Sequence, residues 1–292
     1  GDRYEVMAAT LSAAYMNIRI IHTMGGEVTG TIDESIRHAI TKFSHVHFPA
    51  NDDARKRIIK MGEIPDSVYN FGCPRIDLVK EILLENSLDF LNNNFFKIKG
   101  VSNSKIDFEK PFLLVSQHPV TTEFESSRNQ IKQTLLALKS LETQTIMLWP
   151  NSDAGNGEIS KEIRTFRNNN SSNWLSLYKN LPIEVYVHLM NLTQCLVGNS
   201  SSGIREGAFI GTPVVNIGTR QNNRMKGENV IDSNSDSEEI KNKILLQKNN
   251  GKYVSNSIYG DGFTANKILK IFLMLLFQVH RNRNMGQMPP WI

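Results

Sequence analysis

Residues 197–206, VGNSSSGIRE, place Ser200, Ser201 and Ser202 in a row between two glycines, after an apolar run and before an Arg-Glu pair. Small hydroxyl residues where a strand turns into a helix suit a phosphate. A helix start offers unpaired N–H groups and a partial positive charge, and small side chains let the backbone come close. Ser200 and Ser201 can cap the helix and also donate to phosphate oxygens. Glu206, about one and a half helical turns further on, can accept from a ribose diol. The plainer reading is that the serines only cap a helix. After the next apolar run, in VVNIGTRQ, comes Arg220, whose guanidinium suits a phosphate or a base edge. The alternative there is a solvated loop arginine.

Other residues carry weaker signals. His118, in SQHP, stands just past a strand end and before a proline, and an ordinary imidazole pKa suits proton transfer. A lone histidine also serves structure. The glycine pair Gly25–Gly26 permits positive φ or close approach to a ligand. His38, His45 and His47 look like a cluster, but they fall on a helix and a strand, so no metal site is read and no cofactor is called for.

The elements that must position these residues alternate along the chain. Helical periodicity over 3–17 leads to a β-branched run at 18–23, a helix at 33–43 with Thr31 or Asp33 as its cap, and a strand at 45–49. A helix over 52–62 ends on a glycine, a strand and turn follow at 67–74, and a helix spans 77–91. The Asn-, Ser- and Lys-rich stretch 92–110 reads as a linker. Beyond it come strands at 111–117, 145–150, 193–198 and 212–218, and helices at 128–141, 157–166, 182–191, 236–248 and 264–278. Such alternation means parallel sheets built from right-handed βαβ units. The organisation expected is a first α/β unit over 1–91, the linker 92–110, a second α/β unit with a C-terminal helix over 111–279, and a disordered tail over 280–292.

Composition narrows the class. The 292 residues are 40% hydrophobic and 21% charged with a net charge of +4, which reads as a soluble globular chain without the dense basic stripe of a nucleic-acid binder. Cys73 and Cys195 sit far apart and read as reduced, buried residues of a cytoplasmic protein. The apolar run 268–279 is broken by Lys270 and is too short to span a bilayer. The opening GDRYEVM, with no initiating Met, reads as a chain that starts partway through a larger protein.

GDR, GGEVTGTIDESIRHAITK, FGCPRID, SQHPVTTE, PNSDAG, GNSSSGIRE, GTPVVNIGTRQ, GENV and IYGDG occur in that order. Together they resemble the hydrolysing UDP-N-acetylglucosamine 2-epimerases, most closely the branch that makes N-acetylmannosamine for sialic acid and related sugars. The resemblance implies an α/β chain of glycosyltransferase-B type, two Rossmann-like domains facing across a cleft: 1–91 is the C-terminal part of the first, incomplete at its N-terminus, and 111–279 is the nucleotide-binding second. It implies elimination of UDP with loss of the C2 proton, then addition of water with the opposite C2 configuration. Neither metal nor redox cofactor is implied. The partners implied are a UDP-sugar and a second copy of the chain, as dimer or tetramer, without nucleic acid or membrane.

Residue by residue, the resemblance makes Asp2, Asp33 and His118 catalytic; Asp33 alternatively only caps its helix. Arg3, His22, Gly25, Gly26, Glu27, Asn151, Ser200, Ser201, Glu206 and Arg220 would hold the substrate or its UDP. The sequence departs at Met24, where many members carry a glutamate, and a thioether cannot move a proton. Three readings follow: a 2-epimerase acting on UDP-N-acetylglucosamine, the same scaffold acting on another nucleotide sugar such as a diacetamido-trideoxyhexose, and a nucleotide-sugar-binding fragment without turnover.

Overall fold

Short apolar runs, most of them separated from the next by a helix, form parallel sheets here. The computed structural model describes residues 4–29, 32–100, 106–170 and 173–284. Asp2 and Arg3 lie outside the described residues, as do 285–292 of the expected tail.

The first half holds α1 (Tyr4–Tyr15), β1 (Ile21–Thr23), α2 (Asp33–Phe43), β2 (Val46–Phe48) and α3 (Asp52–Lys60). β1 and β2 pair in parallel, with Ile21 opposite Val46 and Thr23 opposite Phe48. The strand expected at 67–74 does not form. Val68 makes one isolated parallel bridge to His47, and Gly72, at φ +92°, turns the chain toward a proline-started helix. The single helix expected over 77–91 is two, α4 (Pro74–Ile82) and α5 (Ser87–Asn94). Asn86 divides them, because its side chain caps α5 by accepting from the amides of Leu88 at 3.0 Å and Asp89 at 3.2 Å.

The second half runs β3 (Leu113–Ser116), α6 (Ser127–Leu141), β4 (Thr145–Leu148), α7 (Asn156–Asn169), β5 (Leu175–Tyr178), α8 (Ile183–Leu192), β6 (Cys195–Gly198), α9 (Ser201–Ile204), α10 (Glu206–Ile210), β7 (Val214–Ile217), β8 (Val230–Ser233) and α11 (Ser237–Asn250). Its six parallel strands lie in the order β5-β4-β3-β6-β7-β8. β5 and β8 were not expected from the sequence. From β3 the chain winds outward in one direction and from β6 in the other, so the crevice beyond the carboxyl ends of β3 and β6 is the topological switch point, where open α/β sheets take their ligands.

Alternate residues of the strands feed two cores. Leu114, Ile146 and Leu196 pack with Val185 and Leu189 of α8 and with Leu91 and Phe95, whereas Leu113, Val115 and Val197 pack with Ile131 and Leu135 of α6, Ile163 of α7 and Ile244 of α11. Phe95, Ile106 and Phe108, inside the expected linker, are buried in the first of these cores, and so are Val79 and Ile82 of α4. That stretch is therefore fastened to the larger sheet rather than swinging free of it.

The last helix, α12 (Thr264–Asn284), passes Gln278, where the pattern had ended it, and takes in residues 280–284 of the expected tail. It packs on α4, and Asp77 of α4 caps it by accepting from the amides of Thr264 at 3.0 Å and Ala265 at 2.7 Å. Among the described residues no helix is long and apolar enough to cross a membrane.

Candidate nucleotide-sugar site

The switch point depends on a glycine. Gly198, the last residue of β6, has φ +134°, and a Cβ there would lie 2.2 Å from the Ser116 carbonyl oxygen at the end of β3. Only glycine lets the two strand ends close to this distance. Asn199 then ties the loops together. Its Oδ1 accepts from the His118 amide at 2.7 Å, and its Nδ2 donates to the His118 carbonyl at 2.9 Å.

Above this knot opens a cleft of ≈ 450 Å³. His118, Asn151, Ser200, Ser201 and Glu206 all line it, so residues far apart in the chain meet as the sequence led one to expect. Arg220 stands at its edge, with Nη1 donating to the Asn199 carbonyl at 3.3 Å and Nη2 3.9 Å from an Asp153 oxygen. The serine turn works differently from a long helix, since α9 is a single turn, broken at Arg205 before α10 begins. It contributes N–H groups and hydroxyls but little summed dipole. Ser200 is the cap, accepting from the Ser202 amide at 3.3 Å and exchanging a hydrogen bond with its hydroxyl at 2.8 Å. Ser201 accepts from Arg205 Nη2 at 3.0 Å.

The ordinary imidazole pKa expected for His118 does not hold. Burial, and then the Arg220 cation, push it down to about 4, with Asp153 opposing. The ring is therefore neutral near pH 7. Its Nδ1 accepts from the Asn151 amide at 3.2 Å, which leaves the proton on Nε2, 3.4 Å from the Ser116 hydroxyl. In this state His118 is a hydrogen-bond donor through Nε2.

Several cleft residues escaped sequence reading. Arg75, within FGCPRID, brings Nε to 3.6 Å from Glu206 Oε1 across from the first half. Tyr186 of α8 hydrogen-bonds the Ser202 hydroxyl at 2.7 Å, and Lys179 and Asn180 also line the cleft. Arg205 lies 3.8 Å from Glu206. Although burial opposes its charge, the Glu206 and Glu27 carboxylates hold the Arg205 guanidinium pKa above its ordinary value. The motif held Arg75 and Arg205 in plain view, but nothing local says that they face Glu206.

Of the described residues assigned to the first half, His22, Gly25, Gly26, Glu27 and Asp33, none lines this cleft. His22 hydrogen-bonds Thr41 at 3.3 Å. A Cβ on Gly25 would lie 2.9 Å from His22 Nδ1, and one on Gly26, at φ +76°, 2.4 Å from the Ala54 carbonyl oxygen. The glycine pair thus presses the loop onto its own half. Met24, with φ 65°, packs on a small cluster that includes Cys73, Ile204 and Tyr259. Asp33 stands in the first turn of α2, where Ile32 holds the cap position without a side-chain bond. Glu27 is 4% exposed and reaches the seam between the halves, where Oε2 meets Arg224 Nη2 at 2.7 Å. Among the described residues no cluster of metal-ligating side chains occurs.

A model of the family described as UDP-N-acetylglucosamine 2-epimerase matches residues 1–273. The chain is 32% identical over 271 residues to UDP-N,N'-diacetylbacillosamine 2-epimerase (hydrolyzing) of Legionella pneumophila, covering 93% of this chain and 68% of that protein. It is 30% identical over 267 residues to UDP-N-acetylglucosamine 2-epimerase of Neisseria meningitidis, covering 90% of this chain and 66% of that protein. The chain thus spans about two thirds of the length of these relatives. A crystal structure of the Neisseria meningitidis UDP-GlcNAc 2-epimerase bound to UDP-GlcNAc superimposes with a TM-score of 0.76 at 19% identity, covering 94% of this chain and 75% of that one. The fold is the α/β, glycosyltransferase-B arrangement of Rossmann-like parts expected above.

Proposed function

The chain belongs to the UDP-N-acetylglucosamine 2-epimerase family, and from that premise we propose that it is a hydrolysing 2-epimerase, converting UDP-N-acetylglucosamine and water to N-acetylmannosamine and UDP. The observation that carries this reading is the meeting of His118, Ser200, Ser201 and Glu206 in one cleft at the switch point, with Arg220 at its edge. The pyrophosphate sits against the serine turn and the Arg220 guanidinium, both able to stabilise charge that grows as the leaving group departs. Neutral His118 donates from Nε2 to a phosphate oxygen. Glu206 accepts from the ribose diol, and Asn151 borders the nucleotide.

In the first step a base removes the proton on C2 and the C1–O bond breaks, giving the glycal and UDP. In the second, water adds its oxygen to C1 and a proton returns to C2 from the opposite face. Proton transfers at C2 are assigned to the carboxylates Asp33 and Asp2. Arg3 and the 22–27 loop complete the substrate enclosure from the first half.

A second reading, a diacetamido-trideoxyhexose as the sugar, is favoured by the name of the Legionella pneumophila relative. A third reading is nucleotide-sugar binding without turnover. Incubation in D2O with each nucleotide sugar separates the three. UDP release with deuterium at C2 of N-acetylmannosamine supports the first. Turnover of only the trideoxy sugar supports the second, and UDP binding without release of sugar from either substrate supports the third.

A further inference from the structure

Glu206 and Arg75 meet in the cleft as an unfinished pair. Glu206 lines the cleft yet is buried, and its Oε2 has no hydrogen-bond partner among the described residues. Two guanidinium groups flank the carboxylate, both beyond hydrogen-bond distance: Arg75 Nε stands 3.6 Å from Oε1 and Arg205 Nε 3.8 Å from Oε2. A buried carboxylate left unbonded beside a cavity suits a ligand that brings its own donors, as a ribose diol does.

The two arginines differ. Arg205 is committed, with Nη2 donating to the Ser201 hydroxyl at 3.0 Å. The Arg75 side chain lines the cleft, is 48% exposed, and its guanidinium makes no hydrogen bond among the described residues. The backbone beneath it is firm. Pro74 starts α4, the Cys73 amide donates to the Tyr259 carbonyl at 2.7 Å, Ile76 is buried with Ile204 and Tyr259, and Val79 and Ile82 are buried in the core that includes Val185 and Leu189 of α8. A fixed base thus carries a loose cation from the first half to the cleft wall.

Charge indicates what that cation takes. Arg205 and Glu206 offset one another, as do Arg220 and Asp153 at the edge, and His118 is neutral near pH 7. Of the charged residues lining the cleft, Arg75 and Lys179 remain, a positive balance that suits a diphosphate. Arg75 is linked to the serine turn through Glu206 and Arg205, whereas Lys179 follows β5 at the sheet edge.

We propose that Arg75 is a phosphate-binding residue with Glu206 as its resting partner. When the ribose diol takes up the Glu206 oxygens, the Arg75 guanidinium leaves the carboxylate and closes on the diphosphate, whose oxygens fit its fork. The inference rests on the nucleotide-sugar reading above and adds to it a grip delivered by α4. The rival reading, a fixed staple between Arg75 and Glu206, explains less, because so long an ion pair on a half-exposed side chain holds two halves weakly.

The test titrates UDP and uridine into the full chain and follows the fluorescence of Trp149, which lines the cleft. Arg75→Ala is expected to weaken UDP by about tenfold or more while uridine affinity stays within about threefold. The same loss for UDP should appear in a Glu206→Gln background, because the phosphate contact does not act through Glu206. Arg75→Lys, which keeps the charge but not the fork, should fall between parent and Arg75→Ala, at a loss of about threefold or more, and decides alone if Arg75→Ala fails to fold. The proposal is overturned if UDP affinity in Arg75→Ala stays within about threefold of the parent, if UDP and uridine weaken in equal proportion, or if the loss vanishes in the Glu206→Gln background. A parent chain that does not bind UDP overturns the nucleotide-sugar reading and this inference with it. A parent that binds UDP, with variants that bind it equally well, overturns the inference alone.

Discussion

His118 offers a sharp test of the cleft's electrostatics. Its pKa falls from 6.5 to about 4 in the folded chain. As pH drops, the unfolded chain takes up this proton first, so the folded state loses stability between about pH 6.5 and pH 4 and loses no more below that. The full shift corresponds to about 3 kcal/mol, of which about 2 kcal/mol falls between pH 7 and pH 5. Water entering the cleft screens the ring and trims the measurable share to about 1–2 kcal/mol. His118→Asn is the informative variant, because an asparagine Oδ1 can replace Nδ1 as acceptor for the Asn151 amide and does not titrate. Urea unfolding of parent and variant at pH 7 and pH 5 gives the difference directly. The parent should lose about 1–2 kcal/mol more than the variant over that interval, since His38, His47 and His188 contribute equally to both. A pH-dependent loss equal in both proteins, within about 0.3 kcal/mol, would refute the buried, neutral imidazole and with it the donor role given to Nε2.

The remaining expectations concern the scaffold. Gly198→Ala forces a Cβ to 2.2 Å from the Ser116 carbonyl at a φ of +134°, so the strand ends must part. A loss of about 2–4 kcal/mol and a weakened UDP complex are expected, read from the Tm and a binding isotherm; unchanged UDP affinity would disprove a site built on this approach. Asp77→Ala removes both amide contacts at the start of α12. It should cost about 1 kcal/mol and loosen α12 from α4, seen as faster amide exchange in that helix with UDP binding intact.

How far the residues alone carry the argument depends on where each neighbour comes from. β3, β6 and β7 are apolar runs between clear turn signals, and all three were legible. β5 is Leu-Ser-Leu-Tyr, half of it polar in type, beside an Asn- and Ser-rich stretch that looks like loop, yet every residue of it is buried. Burial on both faces is decided by α8 and α7, not by the strand's own composition. β8, at the other edge of the sheet, fails for the opposite reason: it is partly exposed and carries Asp232. The strand expected at 67–74 has the right residue types, but Gly72 crosses so close to Gly260 that a Cβ would lie 2.4 Å from its Cα, and the chain cannot run on straight.

The same division runs through the site. Ser200, Ser201 and His118 were legible because each follows a strand end, and strand ends of a parallel sheet gather on one edge by topology alone. Arg75 with Glu206 and Arg224 with Glu27 obey no such rule. Each pair joins the two halves, with Arg75 and Glu27 on one side and Glu206 and Arg224 on the other. Their pairing is set by how α4 and the 24–29 loop lie against the large sheet, and the local pattern around each residue is compatible with a solvated arginine. The cleft at the switch point is thus encoded by the order of strands in a single sheet, whereas the carboxylates at the seam are positioned by the packing of one half on the other. A change that alters that packing should therefore reach Glu27 and Arg75 before it reaches Ser200 or His118.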